Sequence, residues 1–171
     1  EDDSTTGFIR PYEDGYSFMA LLPKEEISLE DYISHLSAEK LIGLVENAST
    51  DYDVDAAIPK FKSEYSIELK DTLQNMGMTD AFDEEQADFR GIGTSDNGNI
   101  YINMVLHKTY IEVDEQGTKA GASTVVGMAE TMSLYEPEIK TVHLDRPFVY
   151  AIIDTETQMP IFLGVTESVE D

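Results

Sequence analysis

Hydrophobic and polar positions along the chain follow two periods. From Asn99 to Val113 the period is two. Ile100, Ile102, Met104 and Leu106 fall on one face and Tyr101, Val105, Thr109, Ile111 and Val113 on the other, which predicts a long strand. Gly7 to Arg10 predicts a short strand, and Glu13-Asp14-Gly15 its turn. Tyr16 to Leu22 is so uniformly apolar that it predicts a strand buried on both faces, ended by Pro23. Asp53 to Leu69 reads as one extended stretch. Ala57, Pro59, Phe61 and Ser63 share a face there, and Tyr65, Ile67 and Leu69 continue the alternation. Ile139 to Val142 predicts a short strand. Phe148 to Ile153 and Pro160 to Val165 predict an apolar hairpin across Asp154-Thr155-Glu156-Thr157.

The helical period is confined to the first half. Ser28 stands as a cap before Leu29, Tyr32, Ile33 and Leu36, spaced i, i+3, i+4, i+7. Ser37 and Glu39 open a second helix carrying Leu41, Ile42, Leu44 and Val45, which fades by Asn47. Leu69, Leu73 and Met76 predict a short helix ended by Gly77. Thr79 to Asn99 is polar and Gly-bearing, a long connection into the central strand. No internal repeat and no domain linker is visible, so 171 residues suit one domain.

Past Asp114-Glu115-Gln116 the apolar side chains stop. Gly117 is followed by Thr118, Lys119, Ala120, Gly121, Ala122, Ser123 and Thr124, nearly all small. A surface loop has no need of so many small residues. A strand that must slip between two others does, because small side chains are buried in a formed sheet with little repacking.

Composition narrows the partners. With 41% hydrophobic residues the chain can build a core, and without Cys it has neither disulfides nor thiol chemistry. Eleven basic against 35 acidic residues leave a net charge of -24. Such a chain repels nucleic acid and anionic membranes. It carries no Lys or Arg cluster for a heparin-type polyanion. No apolar run reaches the roughly 20 residues of a membrane helix. The chain opens at Glu1 rather than Met and shows no signal peptide, so an upstream part is expected.

Classical sites fail on spacing. Asp51, Asp53 and Asp55 invite a calcium loop, but the required Gly and Glu are replaced by Ala56 and Lys62. These aspartates read as solvated strand ends. Gly91-Ile92-Gly93 lacks a third glycine, Asp96 standing in its place. Asn47-Ala48-Ser49 is a formal glycosylation triplet. His35, His107 and His143 are the only histidines and form no i, i+4 pair, so no metal and no cofactor is expected. No Gly-x-Ser-x-Gly elbow is present, so no catalytic residues are assigned and the chain is not expected to be an enzyme. His107 lies inside the apolar strand, where the plain reading is a core histidine with one hydrogen-bonded ring nitrogen.

The stretch from Val105-Leu106-His107-Lys108-Thr109-Tyr110 through Gly117 to Thr124 resembles the strand, hinge and reactive-loop start of the serpins. The resemblance continues through Arg146-Pro147-Phe148-Val149-Tyr150 and Ile161-Phe162-Leu163-Gly164. Upstream it includes Ser17-Phe18-Met19-Ala20-Leu21-Leu22-Pro23 and Ile58-Pro59-Lys60-Phe61. It implies an α+β serpin fold, of which residues 1–171 are the C-terminal part, mostly antiparallel sheet with a few short helices. The hinge and reactive loop would span about 115–140 and the C-terminal hairpin about 147–166. The partners implied are a serine protease as target and the N-terminal half of the serpin domain. The setting implied is extracellular, by secretion.

In that family, cleavage of the loop lets it enter the central sheet while the protease is held as an acyl-enzyme. The resemblance assigns Glu115, Gly117, Thr118, Ala120, Gly121, Ala122, Ser123 and Thr124 to hinge and inserting loop. It assigns His107 to the gate where the sheet parts. Gln116 and Lys119 stand where Glu is common, and Gly121 where Ala is common. The family's spacing from Gly117 puts the reactive bond at Thr131-Met132. One residue on, Met132-Ser133 resembles the pair of elastase-inhibiting members, and both registers remain open. Uncharged Thr and Met suit a shallow apolar pocket of elastase type. The chain alone, lacking a complete sheet for its loop to enter, is not expected to inhibit. A non-inhibitory binding or chaperone-type relative and an inactive fragment are the alternatives.

Overall fold

The structure is a computed structural model that describes residues 1–114, 117–118 and 138–169, with 117–118 described as backbone only. Its elements are β1 (Thr5–Pro11), β2 (Tyr16–Pro23), α1 (Leu29–Ser34), α2 (Ala38–Glu46), β3 (Tyr52–Ala57), β4 (Phe61–Glu68), α3 (Lys70–Asn75), a 3₁₀ turn (Asp80–Phe82), β5 (Leu106–Asp114), β6 (Gly117–Thr118), β7 (Glu138–His143), β8 (Phe148–Asp154) and β9 (Pro160–Thr166). They divide into two units: residues 1–61 with 112–171, and residues 62–111.

The first unit is built on an antiparallel sheet ordered β1-β2-β8-β9. Its two inner strands are the uniformly apolar segments of the sequence. Every residue of β2 after Tyr16 is buried, and so is every residue of β8 before Asp154. On one face Met19, Leu21, Val149, Ala151 and Ile153 pack with Tyr32 of α1 and Leu41 of α2. On the other, Phe18 stacks near Tyr150 at 6.5 Å, and Phe61 tilts onto Tyr150 at 4.9 Å. Phe162 of β9 stacks on Tyr150 at 6.2 Å from the other side. Such ring pairs add about 0.5–1.5 kcal/mol each beyond their buried area.

Tyr150 fits because of Gly164. A Cβ built at Gly164 would overlap Cζ and Oη of the Tyr150 ring. The β8–β9 turn is fixed by Asp154, whose Oδ1 accepts from the N–H and O–H of Thr157, both at 2.8 Å, and from the N–H of Glu156 at 3.1 Å. Those bonds, Thr157's above all, hold its carboxyl below the ordinary range.

Both expected caps form. Ser28 Oγ accepts from the N–H of Asp31, and Ser37 Oγ from that of Lys40, each at 3.1 Å. The first helix is shorter than its apolar spacing, stopping at Ser34 instead of Leu36. Ser34 Oγ and His35 Nδ1 both take the Asp31 carbonyl at 2.8 Å, while the His35 N–H turns to Tyr32. Side chains there outcompete the next helical bond.

The extended stretch from Asp53 to Leu69 is two strands, not one. Pro59 lacks an N–H and keeps Ile58 out of a continuing ladder, so β3 and β4 join different sheets. β3 pairs with β7 in parallel, from Tyr52 opposite Glu138 to Ala57 opposite His143. The sheet content is therefore mostly but not wholly antiparallel.

In the second unit, α3 ends as its glycine predicts. Gly77 has φ +103°, Met78 N–H bonds to Leu73 and Gly77 N–H to Gln74, a Schellman closure. The central strand begins at Leu106, not at Ile100. Residues 99–105 instead serve tertiary bonds: Asn99 Nδ2 donates to the carbonyls of Glu84 and Ala87, and the Ile102 N–H to Ala81. The polar connection before it is folded, with Phe82 and Ala87 buried.

Replacing Gly164 with Ala is expected to lower unfolding stability by about 1–3 kcal/mol in urea titrations, the cost of overpacking. Gly43 of α2 faces open space, and Gly43→Ala is expected to be neutral or to stabilise by up to about 1 kcal/mol. Equal effects at the two positions would refute the packing account.

Candidate functional site

Two short strands, Gly117–Thr118 and Glu138–His143, flank the stretch that begins with the small residues. At its start, Gly117 and Thr118 fold back on β5, with Val113 opposite Thr118 and Asp114 opposite Gly117, antiparallel. β5 lies between β4 and this two-residue strand. Among the described residues, no strand covers the rest of that edge, Leu106 to Glu112. Ile111 and Val113 of β5 are buried and Thr109 half-buried, while Lys108 and Tyr110 are exposed. One face of the edge is thus apolar and inward, the other wet. Glu68 fixes where the strand begins: its Oε1 accepts from the N–H of Val105 at 2.9 Å and from that of Lys70 at 3.1 Å.

On the far side the chain returns as β7, clasped to β3. The Lys140 ammonium sits 4.2 Å from the Tyr52 ring centroid and 3.3 Å from Glu1 Oε2. The chain then buries Leu144 and turns at Arg146, which donates from Nε and Nη2 to the Pro23 carbonyl at 3.2 and 3.0 Å. Arg146 thereby welds the return limb to the end of β2.

Of the residues singled out in the sequence, Gly117 and Thr118 form β6 and His107 lies near the start of β5. Glu115, Ala120, Gly121, Ala122, Ser123, Thr124, Thr131, Met132 and Ser133 lie outside the described residues. His107 is exposed, which corrects its plain reading as a core histidine: the inward face of β5 closes only from Thr109 on. Asp51, Asp53 and Asp55 are solvated, as expected. Sequence reasoning missed Arg146 as an anchor and missed the pairing of β3 with β7. Opposite charges on the two short strands, Asp53 and Asp55 against Lys140 and His143, were the available signal.

Ser34 Oγ lies 2.9 Å from His35 Nδ1, but both groups are committed to the Asp31 carbonyl. A ring nitrogen that donates its proton there is no base for the serine. Among the described residues, no three His, Asp or Glu side chains converge to hold a metal ion, and no helix is long and apolar enough to cross a membrane. Two recesses, about 380 Å³ beside Leu29, Ile33 and Pro147 and about 290 Å³ beside Tyr32 and Lys40, are open surface hollows.

The fold defines a class, a portion of a sheet-rich domain with a few short helices. A family model described as serpin, serine protease inhibitor, matches residues 2–168. Serpin B10 of Sorex araneus is 34% identical over 166 residues, 96% of this chain and 41% of that protein. Ipis-1 of Ixodes persulcatus is 37% identical over 164 residues, 95% of this chain and 42% of that protein. The crystal structure of a thermophilic serpin, tengpin, in its native state superposes with a TM-score of 0.76 at 49% identity, covering 98% of this chain and 43% of that one. The chain belongs to the serpin family. That family is one of serine protease inhibitors and not of enzymes. The chain spans about two fifths of the length of the relatives it matches.

Arg146→Ala is expected to cost about 1–3 kcal/mol in chemical unfolding, since the partly buried Pro23 carbonyl loses its charged donor. Arg146→Lys should recover only part, lacking the fork. Wild-type stability in the Ala variant would show that the contact anchors nothing.

Proposed function

We propose that this chain carries the reactive loop and part of the receiving sheet of an inhibitory serpin, a suicide substrate for elastase-like serine proteases. The observation that supports it best is the register of β6 on β5. With Val113 opposite Thr118 and Asp114 opposite Gly117, each step forward along the loop is one step back along β5. In the inserted state of this reading, Ala120 falls opposite Ile111, Ala122 opposite Thr109 and Thr124 opposite His107. Directly opposed residues of an antiparallel pair share a face, so Thr118, Ala120, Ala122 and Thr124 join the inward face of β5. Lys119, Gly121 and Ser123 take the wet face, opposite Glu112, Tyr110 and Lys108. The small residues stand where space is short and the lysine where water is.

The chemistry follows from that geometry. The protease serine oxygen forms an ester with the carbonyl of Thr131 or Met132. The peptide bond breaks, and the amine of Met132 or Ser133 leaves with the limb that leads into β7. The freed end then adds to the edge of β5, where each main-chain hydrogen bond gains roughly 0.5–1.5 kcal/mol. The ester travels with it, and the protease is distorted before water reaches the bond. In this reading His107 stands where the sheet must part, and Gly121 costs roughly 0.5–1 kcal/mol against Ala in the new strand.

The full protein mixed with an elastase-like protease is expected to give a detergent-stable band at the summed mass, with the cut at residue 131 or 132 in its mass spectrum. Thr118→Arg, opposite buried Val113, is expected to abolish that band while leaving the loop cleavable. Clean cleavage of the wild-type protein with no adduct would replace this reading with a non-inhibitory one. An adduct that survives Thr118→Arg would refute insertion along β5.

A further inference from the structure

We propose that Asn97-Gly98 is a site of spontaneous covalent modification, at which the Asn97 amide is converted to aspartate and isoaspartate, and that the product loosens the anchor at Asn99. Of the five asparagines, Asn47, Asn75, Asn97, Asn99 and Asn103, only Asn97 precedes a glycine. Both Asn97 and Gly98 are exposed. Gly98 has φ +132°, and a Cβ built on it would meet nothing within 4 Å. Main chain without a side chain, in open space, can swing toward its neighbour at little cost.

The reacting groups are uncommitted. Asn97 spends its own N–H on Ser95 Oγ at 3.2 Å. Among the described residues, neither the Asn97 side-chain amide nor the Gly98 N–H makes a hydrogen bond. The Gly98 nitrogen can therefore attack Asn97 Cγ. The new N–Cγ bond closes a five-membered imide, the Cγ–Nδ2 bond breaks, and Nδ2 leaves as ammonia with the proton that the Gly98 nitrogen gives up. Water then opens the ring at one carbonyl or the other, yielding aspartate or isoaspartate. Water is the only co-reactant.

Asn99 shows the opposite case. Its Nδ2 donates to the carbonyls of Glu84 and Ala87 at 3.1 and 2.8 Å. The residue after it is β-branched Ile100, which crowds the attacking nitrogen. The fold guards one amide and leaves the other open. Conversion of Asn97 puts a second carboxylate beside Asp96, and in isoaspartate the main chain runs one methylene longer, just ahead of Asn99. The connection into β5 is held there by Asn99 and by the Ile102 N–H on the Ala81 carbonyl, so those bonds take up the displacement.

The test is to incubate the full protein at pH 8, folded and in urea, and to locate each conversion by peptide fragmentation in a mass spectrometer. Asn97 is expected to gain about one mass unit and to give two chromatographic products. Its rate in the folded protein should lie within about threefold of that in urea, because no structure has to open first. Asn99 should react at least about tenfold more slowly folded than in urea, the scale of one hydrogen bond that must break. In Asn97→Gln the conversion at that position should disappear. In the aged protein the Ile102 N–H should exchange severalfold faster than in fresh protein. No gain at Asn97 in the folded protein, or a gain slowed more than about tenfold by folding, overturns the site. Unchanged exchange at Ile102 overturns the loosening.

Discussion

The ladder between β2 and β8 is the constraint from which everything else hangs. Its strands come from opposite ends of the chain, yet they are direct neighbours, from Tyr16 opposite Asp154 to Leu21 opposite Val149. Both are buried on both faces, so their N–H and C=O groups have no water to turn to and must find each other. Closing so long an excursion costs only logarithmically more than closing a short one. A nearly solid apolar run on each strand covers that cost. β1 and β9 then add as hairpin neighbours, and the helices lay Tyr32 and Leu41 on one face.

The segment of small residues leaves from the edge of β5 and comes back through β7, and its two moorings differ in kind. Gly117 and Thr118 begin a ladder that has room to grow along β5. β7 is a completed strand on a two-membered sheet, held by Lys140, His143 and buried Val142 and Leu144. In the proposed inhibitory reading, one end is extended and the other is kept or released.

Local signals were legible in the sequence, and long-range ones were not. Ser28, Ser37 and Gly77 announce their helix ends because capping is settled within four residues. β2 and β8 announce themselves because burial on both faces leaves no polar position. The register at Pro59 was misread because alternation runs across it even though the ladder cannot. Residues 100–105 carry a strand's alternation, but their hydrogen bonds go to Ala81 and Glu68, partners that no periodicity reveals. The parallel pairing of β3 with β7 joins segments that only the fold brings together. For the loop, the small residues could be read as a demand for space. Which face each would take needed the register of Val113 and Thr118.

Parallel pairing also settles how the return limb would respond to a pull. The loop enters β7 at Glu138, whose partner Tyr52 is the first residue of β3, and the last pair is Ala57 with His143. Tension directed away from β3 at Glu138 loads one rung at a time and peels the strand from that end. Tension along the strand axis loads all the rungs together and meets far more resistance. The same six-residue ladder is therefore soft to a load in one direction and stiff to a load in the other. Its mechanical strength is a property of geometry as much as of bond energy.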